Sequence, residues 1–310
     1  MLPMDDRDGT IWLDGALVPW REARLHVLSH GLHYGTAVFE GERVYGGRVF
    51  RLRAHSERLI RSARLIAMPF TWDVETLDAA TRAVVEANRI ADGYVRPVAW
   101  RGAEDMGLSA PDARTHVAIA AWPWPAVFGT GQRERGITLE PARLRRIPPD
   151  AVPVQAKAAG IYLNGAIARR EAEAAGADDA LLLDARGDLA EATGANLFLV
   201  RDGALLTPVA DHVLDGITRQ TVIGLAGPLG LSVEETRLPP AALATADEVF
   251  LTGTAYEITP VSRIGDRRWP VGPVTRRLLA AFDAEVRREG TAESTIQSLA
   301  TGIESGPTRL

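Results

Sequence analysis

Lys157 is the single lysine among 35 basic side chains in this 310-residue chain, and every other cation is an arginine. A lysine amine can lose its proton when desolvated and then attack a carbonyl, which a guanidinium cannot do. The neighbours in Val154-Gln-Ala-Lys157-Ala-Ala-Gly160 are small and uncharged. Burial among them would disfavour the ammonium form and lower the lysine pKa. A composition biased toward arginine that spared one lysine by chance is the bland alternative, so the surroundings must decide. Tyr162, five residues on, can hydrogen-bond a phenolic oxygen of a bound ring or merely pack at a helix start. Glu191 reads as part of a loop of small residues between two apolar strands. A carboxylate there needs a cationic or N–H partner, such as a protonated pyridine nitrogen, unless it is a surface turn.

Three further stretches could bind anions. Leu214-Asp-Gly216-Ile217-Thr218-Arg219 opens a helix. Free N–H groups and the dipole at a helix start favour phosphate, although Thr218 would serve equally as an ordinary N-cap. Gly253-Thr254-Ala255 ends a strand in small residues whose N–H groups are open to a phosphate or carboxylate, or form a plain turn. Arg58 lies on a helix three residues after His55 and so on the same face. Arg96 shares a strand face with Tyr94. A guanidinium beside an aromatic suits bidentate carboxylate recognition, with a structural ion pair as the alternative. Each signal is weak alone. Together they are the parts of a pyridoxal-phosphate site.

The elements that must position these groups read as follows. Hairpins are expected over residues 10–18, around Asp14-Gly15, and over 38–50, turning at Gly46-Gly47. Helices are expected at 53–66 and 74–88, and strands at 94–100 and 116–121. The run Trp122-Pro-Trp124-Pro, with Gly129-Thr-Gly131 beyond it, reads as a linker. Past it come a proline-marked loop at 148–153 and a helix at 161–175 closed by Gly176. Strands follow at 179–184, 196–200, 204–207 and 248–251, with helices at 218–229 and 274–288. The implied organisation is α+β, with a small N-terminal lobe at 1–121, a linker at 122–135, a larger lobe at 136–288 and a poorly ordered tail at 289–310.

Composition sets the outer bounds. Apolar residues make up 46% and charged residues 24%, as in a soluble globular protein. The net charge of -5 offers no nucleic-acid footprint. Arg143, Arg145 and Arg146 cluster, but nearby acids make them read as a solvated face. There is no cysteine, which removes disulfides, thiolate nucleophiles and Cys-type metal sites, and no metal is called for. That suits a reducing cytoplasm. The first residues lack a signal-peptide pattern, and no apolar run is long enough for a membrane span.

With these residues in view, the sequence resembles the branched-chain aminotransferases of the fold-type IV pyridoxal-phosphate class, whose fold is that of the D-amino acid aminotransferases. The likeness runs over residues 11–282. It is carried by Leu32-His-Tyr-Gly-Thr-Ala-Val-Phe-Glu-Gly41, Tyr94-Val-Arg-Pro97 and the stretches 51–62, 157–164, 191–198, 214–219 and 253–260. The resemblance implies a small α/β lobe and a larger mixed, barrel-like lobe. It makes Lys157 the lysine that holds pyridoxal 5'-phosphate and shuttles the proton. Glu191 becomes the partner of the ring nitrogen and Tyr162 that of the ring hydroxyl. Arg58, Ile217, Thr218 and Thr254 become the phosphate cup. The N–H groups of Thr254 and Ala255 would meet the substrate carboxylate, and Tyr94 with Arg96 would take the second carboxylate of glutamate. By the same resemblance Tyr34, Phe39, Gly41 and Trp124 would be pocket positions, with Tyr34 reaching across a homodimer interface. The implied reaction is transfer of the amino group of leucine, isoleucine or valine to 2-oxoglutarate, ping-pong through pyridoxamine phosphate.

Two departures bear on substrate range. Val127 stands where bacterial members often carry a tyrosine. The loop Gly102-Ala-Glu-Asp-Met-Gly107-Leu is more charged than the usual glycine-rich form, and in the family it approaches the neighbouring subunit's site. Fold-type IV rivals are transaminases for D-amino acids or (R)-amines and aminodeoxychorismate lyases. Outside the fold, Gly129-Thr-Gly131 raises a nucleotide-binding oxidoreductase, but it lacks a third glycine and a strand–helix setting. A non-catalytic scaffold is the remaining alternative.

Overall fold

The computed structural model describes residues 3–124 and 129–288. Val127 and the tail therefore lie outside the described residues. The first lobe is one antiparallel sheet backed by helices. Its hairpin of β1 (Thr10–Leu13) and β2 (Ala16–Pro19) turns at Asp14 and Gly15. After a short helix α1 (His30–Tyr34) come β3 (Ala37–Phe39), β4 (Glu42–Tyr45) and β5 (Arg48–Val49). Gly46 and Gly47, at φ of 55° and 78°, make the reversal between the last two. Helices α2 (Leu52–Leu65) and α3 (Val74–Ala87) follow, the latter capped where Thr76 N donates to Asp73 Oδ1 at 2.8 Å. The long strands β6 (Gly93–Arg101) and β7 (Thr115–Pro123) form the middle of the sheet. The apolar stripes of the helices, including Leu59, Leu77 and Val84, pack on Val44, Val95, Val117 and Ile119 of the sheet.

Residues 122–135, expected as linker, are structured at both ends. β7 continues through Trp122 and Pro123, which pair with Tyr94 and Gly93. A proline is tolerated there because it sits at the strand's last position. Helix α4 (Thr130–Arg135) follows, with Gly129 as its N-cap.

The second lobe is wound around a barrel. Its strands are β8 (Ile137–Pro141), β9 (Asp179–Leu183), β10 (Leu189–Ala192), β11 (Asn196–Arg201), β12 (Ala204–Pro208), β13 (Val233–Thr236), β14 (Glu248–Gly253), β15 (Glu257–Ile264) and β16 (Arg267–Arg268). Six of them run in the order β10-β9-β8-β15-β14-β11, and the β10–β11 pairing closes the ring. Only one residue pair, Glu191 with Asn196, makes that closure. The β8 contacts to β9 and β15 are parallel, and the other rungs of the ring are antiparallel. Leu139, Leu181, Leu197, Leu251 and Val261 share one core cluster. Helices α6 (Ile217–Ala226) and α7 (Pro273–Arg287) cover a second face through Val222, Leu278 and Phe282 against Phe198 and Phe250. Helix α5 (Leu163–Ala174) packs on β9 and is preceded by a 3-10 turn, Ala159–Tyr162, where the sequence suggested a continuous helix.

Strands β8, β10, β13, β15 and β16 have no counterpart among the expected elements. Pro260 inside β15 argues against a strand locally, yet it pairs with Phe250 in the ladder.

Candidate active site

Lys157 sits where the two lobes meet. Its backbone N–H donates to Ser62 Oγ at 3.0 Å, and its carbonyl accepts from Phe39 N at 3.1 Å. A bridge between Val38 and Ala158 extends this contact. Next to it, Gly35 passes so close to Gly160 that a Cβ on Gly35 would lie 3.1 Å from the Gly160 Cα. The lysine is thus tied to the small lobe by backbone, while its side chain points into a cavity of the large lobe. There Nζ donates to the Tyr162 hydroxyl at 2.8 Å. Lys157 is half-buried, less enclosed than its apolar neighbours suggested.

Arg58, Lys157, Tyr162, Glu191, Ile217, Thr218 and Thr254 all line this one cavity. Sequence reasoning drew them from positions spread over nearly 200 residues. The end nearest α6 is built for an anion. Gly216 is the helix N-cap and supplies no side-chain acceptor, so the first helical N–H groups remain open. Asn196 Oδ1 lies 2.1 Å from where a Gly216 Cβ would project, so only glycine fits there. Arg219, fully buried, braces the same turn by donating to Asp215 Oδ1 at 3.1 Å and to the Pro208 carbonyl at 3.0 Å.

Arg58 is held by a residue that the sequence reading had seen only as part of a motif. Glu40, wholly buried, accepts from Arg58 Nε at 2.7 Å and Nη2 at 2.8 Å, and is within 2.7 Å of His55 Nδ1. Burial opposes ionisation of Glu40, but Arg58 and then His55 outweigh it and hold the carboxyl far below its usual range. Burial lowers the His55 pKa despite Glu40. Arg58 Nη1 is left to reach past the pair, donating to the Asp215 carbonyl at 3.3 Å beside the open helix end.

Glu191 lies on β10, not in a loop. Its strand pairs with β9 and is buried throughout, which the small residues around it conceal in the sequence. Asn196 Nδ2 donates to Glu191 Oε2 at 3.2 Å and to the Leu214 carbonyl at 2.8 Å. Arg146, expected on a solvated face, turns inward: its side chain is 10% exposed and its Nε is 2.8 Å from Glu191 Oε1. The Nε–H is not aimed along that contact, so the pair is one of charge and leaves the carboxylate free to take a directed donor. Burial raises the Glu191 pKa, while Arg146 and Lys157 pull it back. Arg143 and Arg146 face outward and inward along an irregular segment, which has no period to announce the difference.

The substrate-side candidates line up beyond the lysine. Lys157 Nζ is 5.0 Å from the centre of the Phe39 ring, and that ring is 4.9 Å from Tyr162. The Arg96 guanidinium lies over Phe39 at 4.8 Å and over Tyr94 at 5.5 Å, with Nε lacking a hydrogen-bond partner among the described residues. The Tyr94 hydroxyl occupies the space a side chain at Gly41 would need, and Trp124 meets the Tyr94 ring edge-on at 4.6 Å. Ala255 follows Thr254 in the turn between β14 and β15. Tyr34 stands apart: it is 47% exposed on α1, against His30, and does not line this chain's own cavity. The charges of the 102–108 loop are spent on bracing it, with Glu104 Oε2 accepting from Arg114 N and Asp105 Oδ1 accepting from Gly107 N.

These residues fit pyridoxal phosphate: the amine, the phenol and the ring-end carboxylate surround the cavity, and an uncapped helix start with a braced arginine closes its far end. Chemistry of this kind on a six-stranded barrel defines a fold-type IV pyridoxal-phosphate enzyme. Over residues 37–264 the sequence matches the family Amino-transferase class IV, and the chain belongs to that family. It is 41% identical over 288 residues to the branched-chain-amino-acid aminotransferase of Pseudomonas aeruginosa, covering 91% of this chain and 94% of that one. Among solved structures it is similar to a T.th. branched-chain amino acid aminotransferase with pyridoxamine 5'-phosphate, with TM-score 0.88, 43% identity, and 91% and 96% of the two chains covered. The same protein complexed with N-(5'-phosphopyridoxyl)-L-glutamate gives TM-score 0.86 at 43% identity, with the same coverage. The chain is therefore an aminotransferase that uses pyridoxal phosphate, and the oxidoreductase and scaffold readings fall away. Among the described residues no helix is long and apolar enough to cross a membrane.

Proposed function

We propose that the protein moves the amino group of leucine, isoleucine or valine to 2-oxoglutarate, and that the residues gathered above divide the work. The bound cofactor supplies the reactive aldehyde carbon and an electron-withdrawing ring. Lys157 holds it and, through Nζ, takes the proton from the substrate Cα. Tyr162, already bonded to Nζ, orients the amine and meets the ring hydroxyl. Glu191 keeps the ring nitrogen protonated, with Arg146 and Asn196 fixing the carboxylate. Arg58, the N–H groups of Ile217 and Thr218, and Thr254 hold the phosphate, while Thr254 and Ala255 N–H groups receive the substrate's α-carboxylate.

The observation that carries the substrate reading is Arg96. Its guanidinium lies on the faces of Phe39 and Tyr94 and keeps an unpartnered Nε at the end of an aromatic wall. An apolar side chain lies against Phe39 and Trp124, and Val127 is assigned to the same wall from the sequence. The distal carboxylate of glutamate pairs with the free guanidinium edge. Gly41 keeps the wall open. Tyr34 serves a second copy of the chain, since it is exposed together with Val27, Leu32 and Leu108, a surface suited to a homodimer. The division of the chain into lobes at 1–121 and 136–288, and a cytoplasmic location, belong to the same reading. The test is turnover of L-leucine with 2-oxoglutarate, followed by the cofactor's absorbance. Efficient use of D-alanine or an (R)-amine with none of L-leucine would move the protein to a rival activity of the same fold.

A further inference from the structure

One wall of the cavity is made by two turns from separate hairpins. Ala192 N donates to the Ala195 carbonyl at 2.8 Å and closes the first, which presents Thr193 and Gly194. The second joins β14 to β15 and presents Gly253 and Thr254. They touch: a Cβ on Gly253 would come within 3.0 Å of the Gly194 carbonyl oxygen. Behind them, outside the cavity, lies Asp179, fully buried at the start of β9. Its Oδ2 accepts from the Tyr256 hydroxyl at 2.6 Å, and its Oδ1 accepts from Thr193 Oγ1 at 2.6 Å and from Ala180 N at 2.7 Å. Arg169 Nη1 donates to the Tyr256 hydroxyl at 3.2 Å and is 3.3 Å from Asp179 Oδ2. The Tyr256 ring lies 3.5 Å from where a Gly194 Cβ would project. Burial and then Asp179 push the Tyr256 pKa upward, so the phenol stays a donor.

We propose that Tyr256 is a positioning residue: through Asp179 it fixes the spacing between the Thr193 turn and the Thr254–Ala255 turn, and so places the N–H groups that receive the substrate's α-carboxylate. The inference rests on the assignment of that turn made above. The β11–β14 ladder, ending at the Asn196–Thr252 pair, brings the two turns side by side, but each turn is short and rich in small residues and extends beyond that last pair. A single buried carboxylate shared by one hydroxyl from each turn fixes their tips beyond the ladder. The α-carboxylate is the one group common to the amino donor and the oxo acceptor, so a loosened turn weakens both alike.

The experiment compares holoenzyme wild type with Tyr256→Phe, which keeps the ring against Gly194 and removes only the hydroxyl. The expected result is a joint rise of about five- to tenfold in KM for L-leucine and for 2-oxoglutarate, with kcat changed by less than about twofold. Binding of 4-methylvalerate, an unreactive carboxylate, should weaken by the same factor, while binding of 3-methylbutylamine, which has no carboxylate, should not move. Thr193→Val cuts the other end of the bridge and should reproduce the pattern, and Thr193→Ser should restore it. The double variant should be less than multiplicative, because both changes break one link. Unchanged KM values with a lowered Tm, or a shift confined to one substrate, would overturn the proposal. Wild-type protein that turns over no α-amino acid would instead sink the functional reading, which separates the two failures.

Discussion

The two ends of the site are made in different ways. At the end assigned to the phosphate the groups are charged and already paired: Arg58 with Glu40, Glu40 with His55, Arg219 with Asp215. At the substrate end they are aromatic, partly exposed and held by ring contacts, with one guanidinium edge unspent. The first arrangement keeps one ligand of constant shape in one place. On the assignment proposed above, the second would accept either an alkyl chain or a carboxylate, which a fully paired arginine could not do. Preorganisation is concentrated where the ligand never changes, and adaptability where it must.

The largest effect should come from the group that joins the two ends. Lys157→Ala is expected to cut turnover by about a thousandfold or more while leaving the Tm within a few degrees. Borohydride labelling followed by mass spectrometry should find no adduct at this position, and a variant with near wild-type rate would contradict the assignment. Next comes the paired end. Arg58→Met leaves Glu40 buried with His55 as its one remaining side-chain partner among the described residues, at a cost of about 3–5 kcal/mol in urea denaturation, with cofactor lost on dialysis. Adding Glu40→Leu should return most of the stability but not the cofactor retention. If both returned, Arg58 would be merely structural.

At the adaptable end, Arg96→Leu should raise KM for 2-oxoglutarate about 10- to 100-fold, the worth of a charged hydrogen-bonded pair. KM for L-leucine should change by less than about threefold, and equal shifts for both would erase the contrast between the two ends. The smallest effect concerns Glu42, two residues from Glu40 and just as buried, but with one oxygen unpartnered among the described residues. Burial, then Glu40 and Asp78, raises its pKa well above the ordinary 4.5. A raised group contributes its full stability below the unfolded value and loses it as pH climbs toward the folded one. Glu42→Gln should therefore stabilise the protein by about 1–2 kcal/mol at pH 8 and much less at pH 5. A gain of equal size at both pH values would place the cause elsewhere.

What the sequence made legible follows the same division. The seven residues that line the cavity sit in short motifs, each weak by itself, and it was their collinear resemblance to one family that drew them together. Arg146 was hidden because its partner Glu191 is 45 positions away and its own segment has no period. Glu40 was hidden because a glutamate among apolar residues does not name the arginine it faces. Glu191 was given a loop because alanine and glycine carry little strand signal, and the pairing with β9 overrode that. Strand β15 was lost to Pro260. These misses have one cause: each needed a tertiary contact to decide it. Tyr34 and Val127 are of another kind, the one facing outward from its own cavity and the other outside the described residues.

The barrel closes at the hairpin of β10 and β11, whose one paired rung, Glu191 with Asn196, stands beside the Ala192–Ala195 turn. That seam is the narrowest in the cylinder, and it runs past the position assigned to the pyridine nitrogen. A ligand that grips Glu191 from inside therefore also clasps the cylinder. Cofactor capture and the last act of sheet closure become a single event, and the amides of Ala192 and Asn196 should report it through slowed deuterium uptake when the vitamin is present.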